Sequence, residues 1–486
     1  MKQENLLTGL EIDSVEFHGR GVARHNGKVV FVENALPGEV VDANVFQKKK
    51  GYAFARTVSF HKTSENRIQP FCHHFGTCGG CTWQNVTYEK QLEFKRQFVE
   101  EAFTRIGKLS FSEIPPVMGC SNTSHYRNKL EFTFSNRRWL TKEEMEKFSV
   151  AGDCFGRGTS AGAIDALAMT GTMEFPPALG FHKPGLFDKV IDIETCYLQP
   201  EPSNKIRLAL KEFAVKEGIE FFDLRKQEGM LRTLIIRTSS LGEVLVIVSF
   251  FQDNKQVIES VMDFLQKTFP EVTSLNYVIN PTGNDSINGQ EVITCYGKPY
   301  FQERLGDLAF HVGPKSFFQV NVPQAKKLFD TALGFADLKG NEIVYDLYCG
   351  IGSISLYLAS HCRKVIGVEQ SGDAVKDARN NAKLNHISNC EFYEGVDSKM
   401  LDNNFISSHG KPDVIFIDPP RSGVHPKLIQ SLLEIAPEKI VYVSCNPATQ
   451  ARDLSMLKEK YSIAKVQPVD MFPQTYHIEN VVLLIR

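Results

Sequence analysis

The sequence predicts an α/β protein in three parts: an N-terminal β-barrel, a mixed α/β central region and a C-terminal Rossmann-like domain on an open, mostly parallel sheet. Three observations carry this expectation. Short runs rich in Ile and Val recur in the last third, at 342–347, 365–368, 414–417 and 441–444, mostly apolar, as strands buried on both faces are. Each run ends in a turn or a reactive group: Tyr348-Cys349-Gly350-Ile351-Gly352, Glu369, Asp418-Pro419-Pro420-Arg421 and Cys445-Asn446-Pro447. Ligands of such sheets bind outside the carboxyl ends of the strands. Residues 8 to 62 read differently, as short strands parted by Gly, Pro and Asn turns, a pattern that suits a small barrel.

The chain has 486 residues, enough for about three domains, and a formal net charge of -2 from 55 basic and 57 acidic side chains. No global basic field is present, so any nucleic-acid surface must be local. The start MKQENLLTGL lacks the pattern of a signal peptide and no apolar stretch is long enough to span a bilayer; a cytoplasmic, non-membrane protein is expected. Its eleven cysteines are then read as thiols, metal ligands or catalytic groups rather than as a disulfide framework.

Taken in order, the barrel carries Lys48-Lys49-Lys50 next to Gly51-Tyr52-Ala53-Phe54-Ala55-Arg56. Cations beside aromatics on one hairpin fit RNA backbone and base contacts, and a solvated turn is the alternative. A cysteine-rich stretch from Phe71 to Trp83 leads into the helical QLEFKRQFVEEAFTRIG. From about 113 to 320 strands and helices alternate, with a Gly/Ala/Ser-rich loop at 158–172. A helix beginning near Pro323 opens the last domain, which runs to Arg486.

The glycines of Gly350-x-Gly352 let a ligand approach the backbone, and Glu369 at the end of the next strand can accept hydrogen bonds from a ribose diol. That spacing serves dinucleotides and S-adenosylmethionine alike. The full G-x-G-x-x-G fingerprint is absent and strand 414–417 runs straight into Asp-Pro-Pro, which favours S-adenosylmethionine.

A methyl donor and a cysteine together suggest one chemistry. The C5 carbon of uracil is a poor nucleophile, but thiolate addition at C6 makes an enolate whose C5 can take the methyl group. A base must then remove the C5 proton. Glu479, just before the terminal apolar strand, is the candidate base, with His477 as second choice; Cys349 is read as packing. An amino-group methyltransferase using the Asp-Pro-Pro corner is a rival, although such corners usually continue with an aromatic residue and here Arg421 follows. A non-catalytic RNA-binding factor is another.

These residues resemble a known family, the bacterial RNA 5-methyluridine methyltransferases of the 23S ribosomal RNA type, with an N-terminal TRAM barrel and an iron-sulfur cluster. The resemblance covers nearly the whole chain and rests on DLYCGIGSIS, IDPPR, VSCNPATQARDL, FPQTYHIENV, SFFQVN at 316–321 and the cysteine cluster. It implies a TRAM (OB-like) RNA-binding barrel at 1-65, a cluster-bearing central domain at 66-320 and an S-adenosylmethionine-dependent methyltransferase domain at 321-486. It implies Cys445 as nucleophile and Glu479 as base. Gln319, Tyr348, Ser353 and Glu369 resemble the cofactor contacts; Asp397 is a candidate for the adenine end, and Asp418 lies between cofactor and uracil. Ser353 stands where the family often has Asn.

The spacing C-x5-C-x2-C of Cys72, Cys78 and Cys81 fits zinc or an iron-sulfur cluster. The resemblance adds Cys196 as fourth ligand and favours a 4Fe-4S cluster with a structural or RNA-facing role. It also implies that the basic stretch His125-Tyr126-Arg127-Asn128-Lys129 faces RNA, with a solvated strand end as the alternative. The expected partner is 23S ribosomal RNA, with transfer RNA the alternative substrate; the chain is expected to act as a monomer on a uridine flipped out of its stack.

Overall fold

The computed structural model describes residues 5–141, 144–145, 177–396 and 400–486. The Gly/Ala/Ser-rich patch 158–172 and Asp397 therefore lie outside the described residues. Two compact units divide the chain: one holds Met1–Gly76, Cys81–Tyr126 and Gln302–Arg486, the other Thr77–Gly80 and Arg127–Phe301. No helix among the described residues is long and apolar enough to cross a membrane.

The first unit begins with a six-stranded sheet between Leu6 and Lys62. Its second hairpin joins Gly21–His25 to Lys28–Glu33 through Asn26-Gly27, both at positive φ, as a two-residue hairpin turn requires. Small and β-branched side chains, among them Ala23, Val32, Val41, Ala43 and Ala55, fill its core. Phe46 and Tyr52 stay exposed, Arg56 lies 5.8 Å from the Phe46 ring, and Arg20 lies 4.8 Å from that of Phe54. The same hairpin region therefore does present cations over aromatics.

Helix α1 (Tyr88–Glu101) buries Gln91, Phe94, Lys95, Phe98 and Val99, an i, i+3, i+4, i+7 stripe. It widens into a π-turn over Ala102–Gly107 and stops at Lys108, φ 47°. Trp83, 1% exposed, packs on Phe94 and Phe98 with ring centroids 5.6 and 5.9 Å away. Phe17 of the barrel region meets Phe98 and Tyr476, each at 5.5 Å. This cluster ties barrel, α1 and the chain segment before the last strand together by apolar burial.

Seven strands form the second sheet of this unit: β1 (Ile343–Leu347), β2 (Lys364–Glu369), β3 (Cys390–Glu394), β4 (Val414–Ile417), β5 (Lys439–Ser444), β6 (Ser462–Val469) and β7 (Glu479–Ile485). Their order is β3-β2-β1-β4-β5-β7-β6. The first five run parallel and β7 pairs antiparallel to both neighbours. This is the expected Rossmann-like methyltransferase sheet. Every residue of β1 and β4 is buried, each large apolar side chain contributing roughly 1.5–3 kcal/mol by leaving water. Helices α2 (Val322–Ala336), α3 (Ser353–Leu358), α4 (Gly372–Leu384), α5 (Pro426–Ile435) and α6 (Pro447–Leu457) accompany the sheet, together with a short helix at Asn403–His409.

The second unit is a mixed α/β layer. Strands Leu231–Thr238 and Val244–Phe250 run wholly buried through an eight-stranded sheet, and the unit includes helices Ser203–Lys216 and Lys255–Thr268.

Candidate active site

Strand register places the candidate residues. Leu347 of β1 pairs with Val368 and with Ile417, and Ile417 pairs with Tyr442. Tyr348, Glu369, Asp418 and Cys445 therefore all stand at the carboxyl edge of adjacent parallel strands. Ser444 pairs with Asn480 across the antiparallel β5 and β7, which sets Cys445, one residue on, opposite Glu479. Gln450 fastens this end: its amide donates to the Tyr442 and Asn480 carbonyls, and Asn480 donates back to it at 2.7 Å.

At the glycine turn, Gly350 and Gly352 both take positive φ. A Cβ on Gly352 would come within 3.1 Å of Phe392, so the backbone there must stay bare. Tyr348 also sits in the left-handed region, φ 63°, where a bulky residue persists only if its surroundings hold it. Glu369 accepts from the Gly350 amide at 3.1 Å and the Ser371 amide at 2.9 Å. Its carboxylate is thereby oriented at the edge of β2. Ser353 is the first residue of α3, with its amide among those that a helix N-terminus leaves for a ligand. Buried Cys349 packs near Gly367 and Phe392.

Gln319 lies in the loop before α2. Ser316 pins that loop by donating to Asp377 at 2.6 Å and accepting from Gly313. Phe317 in the same loop is 70% exposed, a large aromatic side chain that the sequence reading passed over.

Cys445 precedes α6, whose N-cap is Asn446: its Oδ1 accepts from Ala448 N and its Nδ2 donates to the Arg421 carbonyl at 3.1 Å. Thr449 donates to the same carbonyl. The Asp-Pro-Pro-Arg corner and the Cys445 turn are thus one hydrogen-bonded piece. Asp453 supports it from below, accepting from Val424 N and from the buried Tyr442 hydroxyl, both at 2.8 Å. The Asn-Pro pair, read only as the end of the strand, could have marked Asn446 as a helix cap with Pro447 at the first helical position; no such signal marks Asp453.

Burial dominates the electrostatics. It pushes the Cys445 thiol up to about 12, with Glu479 and Asp418 adding to the rise and Arg421 opposing it. Burial holds the Glu479 carboxyl well above the usual carboxylate range, Asp418 reinforces this, and Arg421 again opposes. Asp418 rises to about 7 for the same first reason. Two carboxyls and a thiol therefore share one desolvated corner, and Arg421 is the cation that acts on Cys445 and Glu479. An incoming positive charge favours ionisation of all three.

Cys72, Cys78 and Cys81 are half-buried and Cys196 is buried; Cys72 and Cys81 belong to the first unit, Cys78 and Cys196 to the second. The Gly80 amide donates to the Cys78 sulfur at 3.4 Å, and the Cys196 amide donates to Asn204 at 2.9 Å. Among the described residues, no group of three or more His, Cys, Asp or Glu takes an arrangement that could hold a metal ion.

Comparison with known proteins fits this architecture. A family model described as tRNA (Uracil-5-)-methyltransferase matches residues 297–486, and a TRAM domain model matches residues 10–58. A protein of Bacteroides thetaiotaomicron named an uncharacterized RNA methyltransferase is 47% identical over 469 residues, 96% of this chain and 98% of that protein. A Porphyromonas gingivalis protein of the same name is 46% identical, covering 98% of this chain and 99% of its own. Among solved structures, the Pyrococcus abyssi tRNA (uracil-54, C5)-methyltransferase in complex with S-adenosyl-L-homocysteine is 27% identical, with a TM-score of 0.74, 99% of this chain and 100% of that chain being covered. These matches together span nearly the whole chain, from the barrel to the parallel sheet: the chain belongs to the S-adenosylmethionine-dependent RNA (uracil-5-)-methyltransferase family.

Proposed function

We propose that the chain methylates C5 of a uridine in 23S ribosomal RNA through a covalent bond between Cys445 Sγ and uracil C6. The observation that carries this is the convergence of Cys445, Glu479 and Asp418 beside the glycine turn, at the ends of β5, β7 and β4. S-adenosylmethionine supplies an electrophilic methyl group and a positive charge. The residues suited to hold it are the bare turn at Gly350 and Gly352, the Glu369 carboxylate, oriented by two amides, for a diol, and, on the family resemblance, Tyr348, Ser353 and Gln319, with Asp418 assigned toward the uracil.

Cys445 loses its proton to solvent and its sulfur adds to C6, pushing the C5=C6 electron pair onto C5 and O4. C5 then attacks the methyl group, whose bond to the sulfonium sulfur breaks with its electron pair staying on sulfur, leaving S-adenosylhomocysteine. Glu479, ionised, accepts the C5 proton, the C–H electron pair restores C5=C6, and the bond to sulfur breaks, returning the Cys445 thiolate. Arg421 favours the ionised forms of both protein groups.

RNA would be gripped by the TRAM barrel at 1-65, where Arg20, Arg56 and exposed Phe46 and Tyr52 offer charge and stacking surfaces. Phe317, exposed beside Gln319, offers another such surface. Transfer RNA is the second reading. The tRNA-directed Pyrococcus abyssi enzyme matches the whole chain, barrel included, so possession of a barrel does not by itself select ribosomal RNA. We further infer that Cys72, Cys78, Cys81 and Cys196 are the ligands of a structural 4Fe-4S cluster; the support is the C-x5-C-x2-C spacing and the family resemblance, since the described residues do not gather these thiols into a metal-holding group.

The test is methyl transfer from labelled S-adenosylmethionine to unmodified 23S ribosomal RNA and tRNA transcripts, followed by nucleoside analysis. 5-Methyluridine in ribosomal RNA supports the proposal and its appearance in tRNA alone moves the substrate. Methyl groups on amino nitrogens would overturn the chemistry.

A further inference from the structure

Within the first unit, the turn that joins β6 to β7 and ends at Glu479 is held by a buried charged network, which the reaction scheme above does not use. Asp470 follows Val469, the register partner of Glu479. Asp470 and Lys95 of α1 are both wholly buried and form an ion pair at 2.6 Å. Lys95 donates a second bond to the Phe472 carbonyl at 3.0 Å. Tyr88 donates to Asp470 Oδ2 at 2.8 Å and accepts from the Cys120 amide at 2.7 Å. The Cys120 thiol donates to the Asp470 carbonyl, and Asn321, two residues after Gln319, donates to the Met471 carbonyl at 3.1 Å.

Further along the turn, Gln474 is held at φ 66°. Its amide donates to Gln91 Oε1, while Gln91 Nε2 donates to Gln474 Oε1, both at 3.0 Å. Its carbonyl accepts from the Thr82 and Trp83 amides at 2.8 and 3.1 Å.

Burying a lysine and a carboxylate together is a poor way to gain stability, because desolvation offsets their attraction and apolar residues of similar size do as well or better. A buried pair of this kind does fix geometry, since each charge tolerates only positions where the other compensates it. We propose that Lys95 and Asp470 are positioning residues for the methylation reaction: their ion pair sets the turn that places Glu479 against the C5 proton. The inference rests on the proposed role of Glu479. Cys445 hangs from β5 and α6, and the methyl-donor crevice from β1, β2 and β4, so neither depends on this pair.

That separation gives a readout which a general loss of structure would not give. If the pair acts through Glu479, its removal slows proton abstraction, the step after methyl transfer, and the methylated protein–RNA adduct accumulates. The experiment uses the full chain, with cluster if it holds one, and whichever of the 23S or tRNA transcripts it methylates. Lys95→Met leaves the Asp470 carboxylate uncompensated and risks the fold, so the double variant Lys95→Met/Asp470→Asn, which removes both charges and keeps the Asp470 acceptor for Phe472 N, is measured beside it. Affinity for S-adenosylmethionine and KM for RNA are expected within about threefold of wild type. The kcat is expected to fall about 100-fold, the usual result of displacing a catalytic group by about 1 Å, with a denaturation-stable methylated adduct on the gel. A kcat within threefold of wild type, or a lower kcat without adduct, would overturn the inference. Glu479→Gln is the control: if it builds up no adduct, the role assigned to Glu479 falls and the inference with it; if it does and the double variant does not, only the inference falls.

Discussion

Replacing Asp418 by Asn should make the protein more stable and less active, and the stability gain should depend on pH. Asp418 ends β4 in the desolvated corner, its carboxyl raised from 3.8 to about 7. At about 1.4 kcal/mol per tenfold change in proton affinity, this amounts to about 4 kcal/mol. The side chain is only half-buried by surface area, so solvent screening brings the working figure to about 2 kcal/mol. The folded state binds this proton more tightly than the unfolded chain, so the stabilising contribution is full below pH 3.8 and is lost as pH rises through 7. Above pH 7 the folded state carries a buried charge that Asn lacks. Thermal unfolding of wild type and Asp418→Asn between pH 5 and 8.5 is the assay. The variant's midpoint should exceed that of wild type by about 3 °C at pH 8.5, the difference shrinking toward pH 5. Equal midpoints across the range, or a variant less stable at pH 8.5, would refute the account of this corner.

Three other outcomes are expected. The Cys445 thiol, raised to about 12 by burial and its acidic neighbours, should react slowly with iodoacetamide in the free protein. With S-adenosylmethionine bound it should react about tenfold faster than with S-adenosylhomocysteine, because a sulfonium charge roughly 10 Å away is worth about 1.5 kcal/mol at an effective dielectric near 20; equal rates would contradict the charge argument. Asp453→Ala strips partners from Val424 N and the buried Tyr442 hydroxyl and should cost about 2–4 kcal/mol, read from a denaturant midpoint, with Tyr442→Phe recovering part of the loss in the double variant. Protein purified without oxygen should carry about four irons, lost in Cys196→Ser, and stoichiometric zinc in their place would rule out the cluster.

The sheet was legible because buried parallel strands are mostly apolar, so the polar residue or thiol that ends a run marks the ligand edge; Glu369, Asp418 and Cys445 stand out for that reason. The glycine turn was legible because Gly350 and Gly352 adopt a backbone that side chains resist. The supporting network was not. Lys95 and Asp470 are 375 residues apart, and a lysine on a helix reads as solvated until its partner is known. Nor could spacing reveal that Asp418 and Glu479 repel each other, since β7 reaches β5 only by running antiparallel into the sheet. The division into two units was hidden for a similar reason: the chain leaves the first unit at Thr77, returns at Cys81, leaves again at Arg127 and returns at Gln302, and no local pattern marks which distant segments pack together.

The covalent route is tested most directly by a trapping experiment. The protein is incubated with S-adenosylmethionine and unmodified 23S ribosomal RNA in which uridine is replaced by 5-fluorouridine, then run on a denaturing gel. Fluorine at C5 cannot leave as a proton, so the bond between Cys445 and C6 should persist after methyl transfer and appear as a protein–RNA band that Cys445→Ala abolishes. Methyl transfer to ordinary RNA by the Cys445→Ala variant, or a band that survives that substitution, would contradict the mechanism.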